Sequence, residues 1–212
     1  MSNKYYGFVR KELLDLIPIK NRGKNFLEIG AAGGGTLIYA KENGFAKKVY
    51  GVELCKVNNS FQDDDRIEDF LIGNIEEVEL PYEKNFFDVI LLADVLEHLI
   101  DPWKVLFKLK KHLKKNGVII ASVPNIRHWS ALKKIFVKGS FKYEDAGIFD
   151  KTHLRFFCKS DMIELFQSQD FNIINLTNNV VKKGKLSKKL NRLTFGVFEE
   201  FLVIQYYLVG KK

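Results

Sequence analysis

The chain has 212 residues, 46% of them hydrophobic, which is enough for one full core and short of two. Its formal charge of +8 divides into −5 over residues 1–100 (12 Lys/Arg against 17 Asp/Glu) and +13 over residues 101–212 (22 against 9). A basic half of this kind suits phosphate, nucleic acid or an anionic lipid surface, and equally a solvated lysine face with no partner. Two cysteines, Cys55 and Cys158, form no metal spacing or disulfide framework, and no apolar run reaches the roughly 20 residues that span a bilayer. Met1 is followed by polar residues and a mixed-charge stretch, so the expectation is a cytoplasmic protein with no signal peptide or transmembrane helix.

From the N-terminus, YYGFVRKELLDLI (5–17) has apolar residues at helical spacing and stops before Pro18, which predicts a helix within 1–20. Short apolar runs then alternate with amphipathic stretches, the pattern of a parallel sheet with helices on both faces. Strands are expected at 25–30, 48–54, 69–74, 87–93 and 117–125, then at 171–179 and 201–210, with helices at 36–43, 101–113 and 159–169. Asp101 before Pro102 reads as an N-cap followed by proline at the first helical position, and Asn116–Gly117 as the end of that helix and the turn into the next strand. No internal repeat or Pro/Ser-rich linker divides the chain, so 1–212 is expected as one domain.

The first chemical signal is NFLEIGAAGGGT (25–36). A strand that runs into a glycine loop and then a helix presents backbone N–H groups and a helix N-terminus to a ligand, with nothing bulky in the way. Glu53 ends the second strand, where a carboxylate accepts hydrogen bonds from the two hydroxyls of a ribose. Gly30, Ala32 and Gly35 alone also pass for a degenerate dinucleotide fingerprint. Glu28 argues against that ligand: it would repel a pyrophosphate but suits a group carrying an ammonium and a sulfonium. Asn74, after the third strand, is placed to meet an adenine edge through its amide, and Ile75 through its backbone N–H.

Together these stretches resemble the class I S-adenosylmethionine-dependent methyltransferases over nearly the whole chain. FLEIGAAGGG is similar to the family's first motif and VYGVEL to its ribose-binding acid; GNIEEVELPYEKNFFDVILLADVLEHLIDPWKVL and LKKNGVIIASVPN match later motifs in order and spacing. The departures are Ala32, where the family usually has glycine, and Asn74, where aspartate is commoner. The resemblance implies an α/β, Rossmann-like sheet of seven mostly parallel strands with the last antiparallel, helices on both faces, and S-adenosyl-L-methionine as cofactor. By transfer, Glu28, Gly30 and Gly34, with Ala32 in the same loop, hold the methionine portion, Glu53 the ribose, and Asn74 and Ile75 the adenine. Asp94 is assigned to the methionine end or the acceptor, with a helix cap as the alternative.

Methyl transfer from a sulfonium is an in-line displacement, and a hydroxyl acceptor also needs a base. His98 in DVLEHL follows the fourth strand at the mouth of the expected site and is the candidate; Glu97 is expected as a structural hydrogen-bonding partner. Along the chain no carboxylate–histidine cluster stands at ligand spacing, so no metal is expected. Residues 122–166, with an acceptor-side insertion at 124–160, resemble a branch of the family associated with polysaccharide and glycan biosynthesis. Within them His128, His153 and Arg155 are the acceptor-binding candidates; the alternative is that Thr152 and Arg155 fix the loop while Phe156 and Phe157 are core. His112 is expected to be exposed. In 181–200, Lys182, Lys183, Lys185, Lys188, Lys189 and Arg192 supply six positive charges on a predicted amphipathic helix. That helix reads as a lid, as a docking surface for a phosphorylated or lipid-linked substrate at the inner membrane face, or as a packed helix with a solvated side. The reading is O-methylation of a small polar acceptor such as a sugar, nucleotide sugar or glycan intermediate. The alternatives are an RNA methyltransferase, disfavoured because no RNA-binding module is appended, and a non-catalytic S-adenosylmethionine-binding regulatory protein.

Overall fold

The computed structural model describes residues 9–179 and 198–212. The apolar runs become strands β1 (Lys24–Ile29), β2 (Ala46–Glu53), β3 (Asp69–Ile72), β4 (Phe87–Ala93), β5 (Leu113–Pro124), β6 (Asn172–Asn178) and β7 (Gln205–Lys211). They form one sheet in the order β3-β2-β1-β4-β5-β7-β6, with β7 antiparallel to both of its neighbours and every other pairing parallel. The helices are α1 (Lys11–Leu14), α2 (Gly35–Glu42), α3 (Pro102–His112), α4 (Trp129–Leu132), α5 (Lys159–Gln167) and α6 (Glu199–Leu202).

Two apolar layers cover the sheet because successive strand residues point to opposite faces. Leu27, Ile90, Leu92, Ile119 and Ala121 pack with Leu106 and Leu109 of α3 on one face; Phe26, Val89, Leu91, Val118 and Ile120 pack with Leu13, Leu14 and Leu37 on the other. Each Val, Leu, Ile or Phe among them contributes about 1.5–3 kcal/mol on burial, whereas an exposed ion pair contributes about 0–1. Packing therefore sets the fold, and an exposed pair such as Lys56–Asp63 adds little. Asp101 caps α3 as its sequence predicts, accepting the Lys104 N–H at 2.9 Å.

Several boundaries differ from the sequence reading. The chain passes from α3 directly into β5 at Leu113, and Asn116–Gly117 lies inside the strand. The register moves from Phe87↔Leu113 to Val89↔Val118, so the extra residues bulge, with Asn116 in the left-handed region at φ +67°. The start of the last predicted strand is instead α6, which leaves β7 to begin at Gln205. His112 is buried, at 9% exposure, because it follows Val105 and Leu109 on the inward face of α3; its Nδ1 lies 3.2 Å from the Glu83 carbonyl oxygen. The basic stretch 182–192 and residues 1–8 lie outside the described residues. Among the described residues no helix is long and apolar enough to cross a membrane.

Candidate functional site

Strand order reverses between β1 and β4, since the chain continues outward to β2 and β3 on one side and to β5 on the other. A ligand crevice is expected there, beyond the carboxyl ends of the strands. The β1–α2 loop forms one wall. Gly30 (φ +71°) is required twice over: its conformation disfavours side chains, and a Cβ would lie 2.6 Å from Val95 Cγ2. Gly34 (φ +80°) precedes the first turn of α2. Ala32, between them, holds φ +46° despite its Cβ. Its N–H donates to Glu53 Oε2 at 2.7 Å, and Oε1 of the same carboxylate accepts the Leu54 N–H at 2.8 Å. Glu53 therefore clips the loop to the end of β2 and keeps lone pairs for further donors. Ala32→Gly is expected to stabilise the protein by about 0–1.5 kcal/mol. Relief of left-handed strain, about 1–2 kcal/mol, is offset by about 0.5–1 kcal/mol of glycine entropy; a denaturant midpoint comparison checks it.

Glu28 sits at the floor, 2% exposed, and no hydrogen bond reaches its Oε2. Burial pushes its carboxyl up to about 8, with Glu53 adding to the rise and Thr36 and Arg10 opposing it. Asp94 follows β4 at φ +56° and is not a helix cap. Its Oδ2 accepts from Arg10 Nη1 at 2.6 Å, and its Oδ1 accepts from the Ser122 hydroxyl at 2.7 Å and from the Gln205 amide. Arg10 was not legible as a site residue, since nothing in the sequence pairs it with Asp94, yet it brings a guanidinium over the carboxyl ends of β4 and β5. At the far side Asn74 closes its own turn, accepting the Glu76 N–H at 3.0 Å and donating to Glu77 at 3.1 Å, with Ile75 buried beneath. An adenine contact by the Asn74 amide requires the Glu77 bond to exchange.

The acceptor-side candidates separate into two groups. His128 caps α4, with Nδ1 2.7 Å from Ser130 Oγ, and lines a cavity of about 610 Å³ together with Trp129, Lys133, Lys134, Lys138 and Lys142. Arg155 donates to the Ile100 carbonyl and lies over the Trp103 ring, which fixes the loop in the manner of the structural alternative; Phe157 is core. His153, 7% exposed, packs edge-on against His98 with ring centroids 4.8 Å apart. Glu97 joins them: the ligand atoms of Glu97, His98 and His153 all lie within 4.8 Å of one another. Glu97 Oε2 is buried without a hydrogen-bond partner, while the Glu97 carbonyl accepts the Leu154 and Arg155 N–H groups. Linear spacing could not reveal this convergence, because His153 arrives from a distant loop.

A family model described as a methyltransferase domain matches residues 1–176. No curated protein matches the chain. Among solved structures, a SAM-dependent methyltransferase from Archaeoglobus fulgidus aligns with TM-score 0.68 at 15% identity, over 100% of this chain and 95% of that one. An S-adenosylmethionine-dependent methyltransferase from Mesorhizobium loti aligns at 0.65 with 13% identity, over 95% and 96%. Haemonchus contortus phosphoethanolamine N-methyltransferase 2, in complex with S-adenosyl-L-methionine, aligns at 0.62 with 15% identity, over 95% of this chain and 51% of its own. At these identities the likeness carries the fold, and the family match over 1–176 carries the membership. The chain belongs to the methyltransferase-domain family and is an S-adenosylmethionine-dependent methyltransferase.

Proposed function

We propose that this enzyme methylates an oxygen of a small anionic polar acceptor, with a sugar phosphate or nucleotide sugar first. The observation that carries this reading is the cavity of about 610 Å³, where Lys133, Lys134, Lys138 and Lys142 surround Trp129 and His128. Such a lining suits an anionic group held by charge-assisted hydrogen bonds and a ring stacked on an aromatic face. Ile148 and Phe149 belong to the cavity wall, and the Ile148 carbonyl oxygen lies 2.9 Å from His153 Nδ1. The cavity wall thus touches the histidine pair through Ile148.

The crevice residues fit the cofactor. The unpartnered oxygen of buried Glu28 is an acceptor suited to an α-ammonium, and the loop beside it carries bare backbone at Gly30. S-adenosylmethionine supplies a methyl group already activated on a sulfonium. On this reading Glu28 and the β1–α2 loop hold its methionine end, Glu53 its ribose, and Asn74 and Ile75 its adenine, while Arg10 and Asp94 stand between cofactor and acceptor. Loss of the acceptor proton is promoted by the Glu97–His98–His153 group. Collinear positioning supplies much of the acceleration, because the leaving group needs no protonation.

The test is methyl transfer from labelled S-adenosylmethionine to a panel of sugar phosphates, nucleotide sugars and a structured RNA. A nucleotide sugar or sugar phosphate is the expected acceptor. The double variant Lys133→Ala, Lys138→Ala is expected to raise its KM about tenfold with kcat little changed, since about 1.4 kcal/mol of ground-state charge contact is lost. Methylation of the RNA with every sugar inert would overturn the reading.

A further inference from the structure

We propose that Glu97, His98 and His153 form a binding site for one divalent transition cation, which holds and acidifies a vicinal pair of acceptor hydroxyls. The proposal deepens the O-methylation reading and rests on it for the acceptor, though the cation site itself stands on geometry alone.

Two segments build the site. Glu97 and His98 lie on the single 3-10 turn Leu96–His98 that follows β4, and His153 lies on the loop before α5. The loop is stitched to the turn by the main chain: Leu154 and Arg155 both donate their N–H to the Glu97 carbonyl oxygen, at 2.8 and 3.0 Å. The Arg155 guanidinium adds a bond to the Ile100 carbonyl. The three side chains are therefore held together by backbone contacts rather than by one another.

The two imidazoles are oriented as ligands. His98 Nδ1 lies 3.1 Å from the Thr152 carbonyl oxygen, and His153 Nδ1 lies 2.9 Å from that of Ile148. A carbonyl only accepts, so each Nδ1 carries the proton and each Nε2 presents a lone pair. An imidazole N–H donated to a backbone carbonyl is the usual support of a metal-ligating histidine. The third ligand is the Glu97 carboxylate, whose buried Oε2 no hydrogen bond reaches. A dication gives the buried Glu97 oxygen the partner it lacks.

Separations within 4.8 Å need small rotamer adjustments, on the order of 1 Å, to bring three atoms to metal bonds of about 2.0–2.2 Å. Two nitrogens and one carboxylate oxygen favour Zn²⁺, Fe²⁺ or Mn²⁺ over the oxygen-preferring Mg²⁺ and Ca²⁺, and leave coordination positions open. Adjacent hydroxyls of the sugar acceptor fill those positions. One hydroxyl loses its proton to solvent as it coordinates, and its oxygen bonds the methyl carbon as the carbon–sulfur bond breaks. The products are a methyl ether, S-adenosylhomocysteine and one proton, with no change of redox state.

The experiment uses the full chain carrying Cys55→Ser, so that the exposed thiol does not compete, stripped with a chelator and titrated with Zn²⁺ by calorimetry and with Co²⁺ by visible absorption. S-adenosylhomocysteine affinity is measured on every sample. One equivalent is expected to bind, and Glu97→Gln, His98→Gln and His153→Gln are each expected to weaken binding at least about tenfold and to remove the Co²⁺ band. His112→Ala, away from the cluster, is expected to leave both unchanged. Partly exposed His98 provides a variant that does not disturb the core. Retained S-adenosylhomocysteine binding with no metal uptake, or uptake unchanged in all three variants, overturns the metal site and leaves the methyltransferase standing. Metal uptake by the cluster with only RNA methylated supports the site and removes the sugar.

Discussion

Replacing Glu53 by alanine is expected to weaken S-adenosylhomocysteine binding by two orders of magnitude or more while the chain remains folded. The carboxylate sits at the carboxyl end of β2, half-buried, and holds the Ala32 and Leu54 N–H groups at 2.7 and 2.8 Å. Its remaining lone pairs are those assigned to the two ribose hydroxyls. Hydrogen bonds to a charged group contribute about 1.5–3 kcal/mol each, so losing two costs about 3–6 kcal/mol, a factor of roughly 10² to 10⁴. Some of that loss would come from the loop, since the variant also leaves the Ala32 N–H without its acceptor. Glu53→Gln separates the contributions: an amide oxygen still accepts from Ala32, but the charge is gone, and a loss of about tenfold is expected. Calorimetric titration of both variants reads the difference. Normal affinity in Glu53→Ala would mean that Glu53 clips the loop and does not hold the ribose.

The parts of this fold that could be read from sequence are those where one physical signal acts alone. The runs 25–30, 87–93 and 117–125 are mostly apolar, broken by buried polar positions such as Glu28, Asp88 and Ser122, because β1, β4 and β5 are covered on both faces, so their strands stand out without any need for alternation. Glycine spacing marked the loop because φ above zero at Gly30 and Gly34 excludes most side chains. What escaped notice depended on contacts between distant segments. A lysine-rich helix suggested that His112 faces water, yet position along the helix decided otherwise, with Leu109 one turn before it. Asn116–Gly117 has turn chemistry, but the pairing of Leu113 with Phe87 absorbs it as a bulge. The Arg10–Asp94 pair and the meeting of His153 with Glu97 and His98 are set by which strands lie side by side, information that no local pattern contains.

Cofactor affinity is expected to rise with pH up to about 8 and to fall beyond it, and the acid limb belongs to Glu28. In the free protein burial holds this carboxyl at about 8, so at pH 7 it is mostly protonated. The groups facing it are the Thr36 hydroxyl, Arg10 and Glu53, and the first two are too weak to reverse the desolvation. An arriving α-ammonium favours the ionised form, lowers the pKa in the complex and expels a proton. Where a whole proton is released, affinity climbs about tenfold per pH unit. The alkaline limb is the ligand's own, because an α-amino group loses its charge near pH 7.7–8.0. Stability carries the opposite sign. The folded pKa lies above the value near 4.5 expected when unfolded, so the native state binds the extra proton between those limits. Stability contributed by the protonated carboxyl is present at low pH and is lost as pH rises toward 8, by about 5 kcal/mol at most. Glu28→Gln keeps the shape and removes the proton. Its affinity should be lower at pH 8, flat on the acid side and still falling on the alkaline side, and its stability should no longer decline from pH 5 to 8. Calorimetry from pH 6 to 9, in buffers of different ionisation enthalpy, measures the released proton directly. An acid limb that survives in Glu28→Gln would assign it to another group and remove Glu28 from the ammonium site.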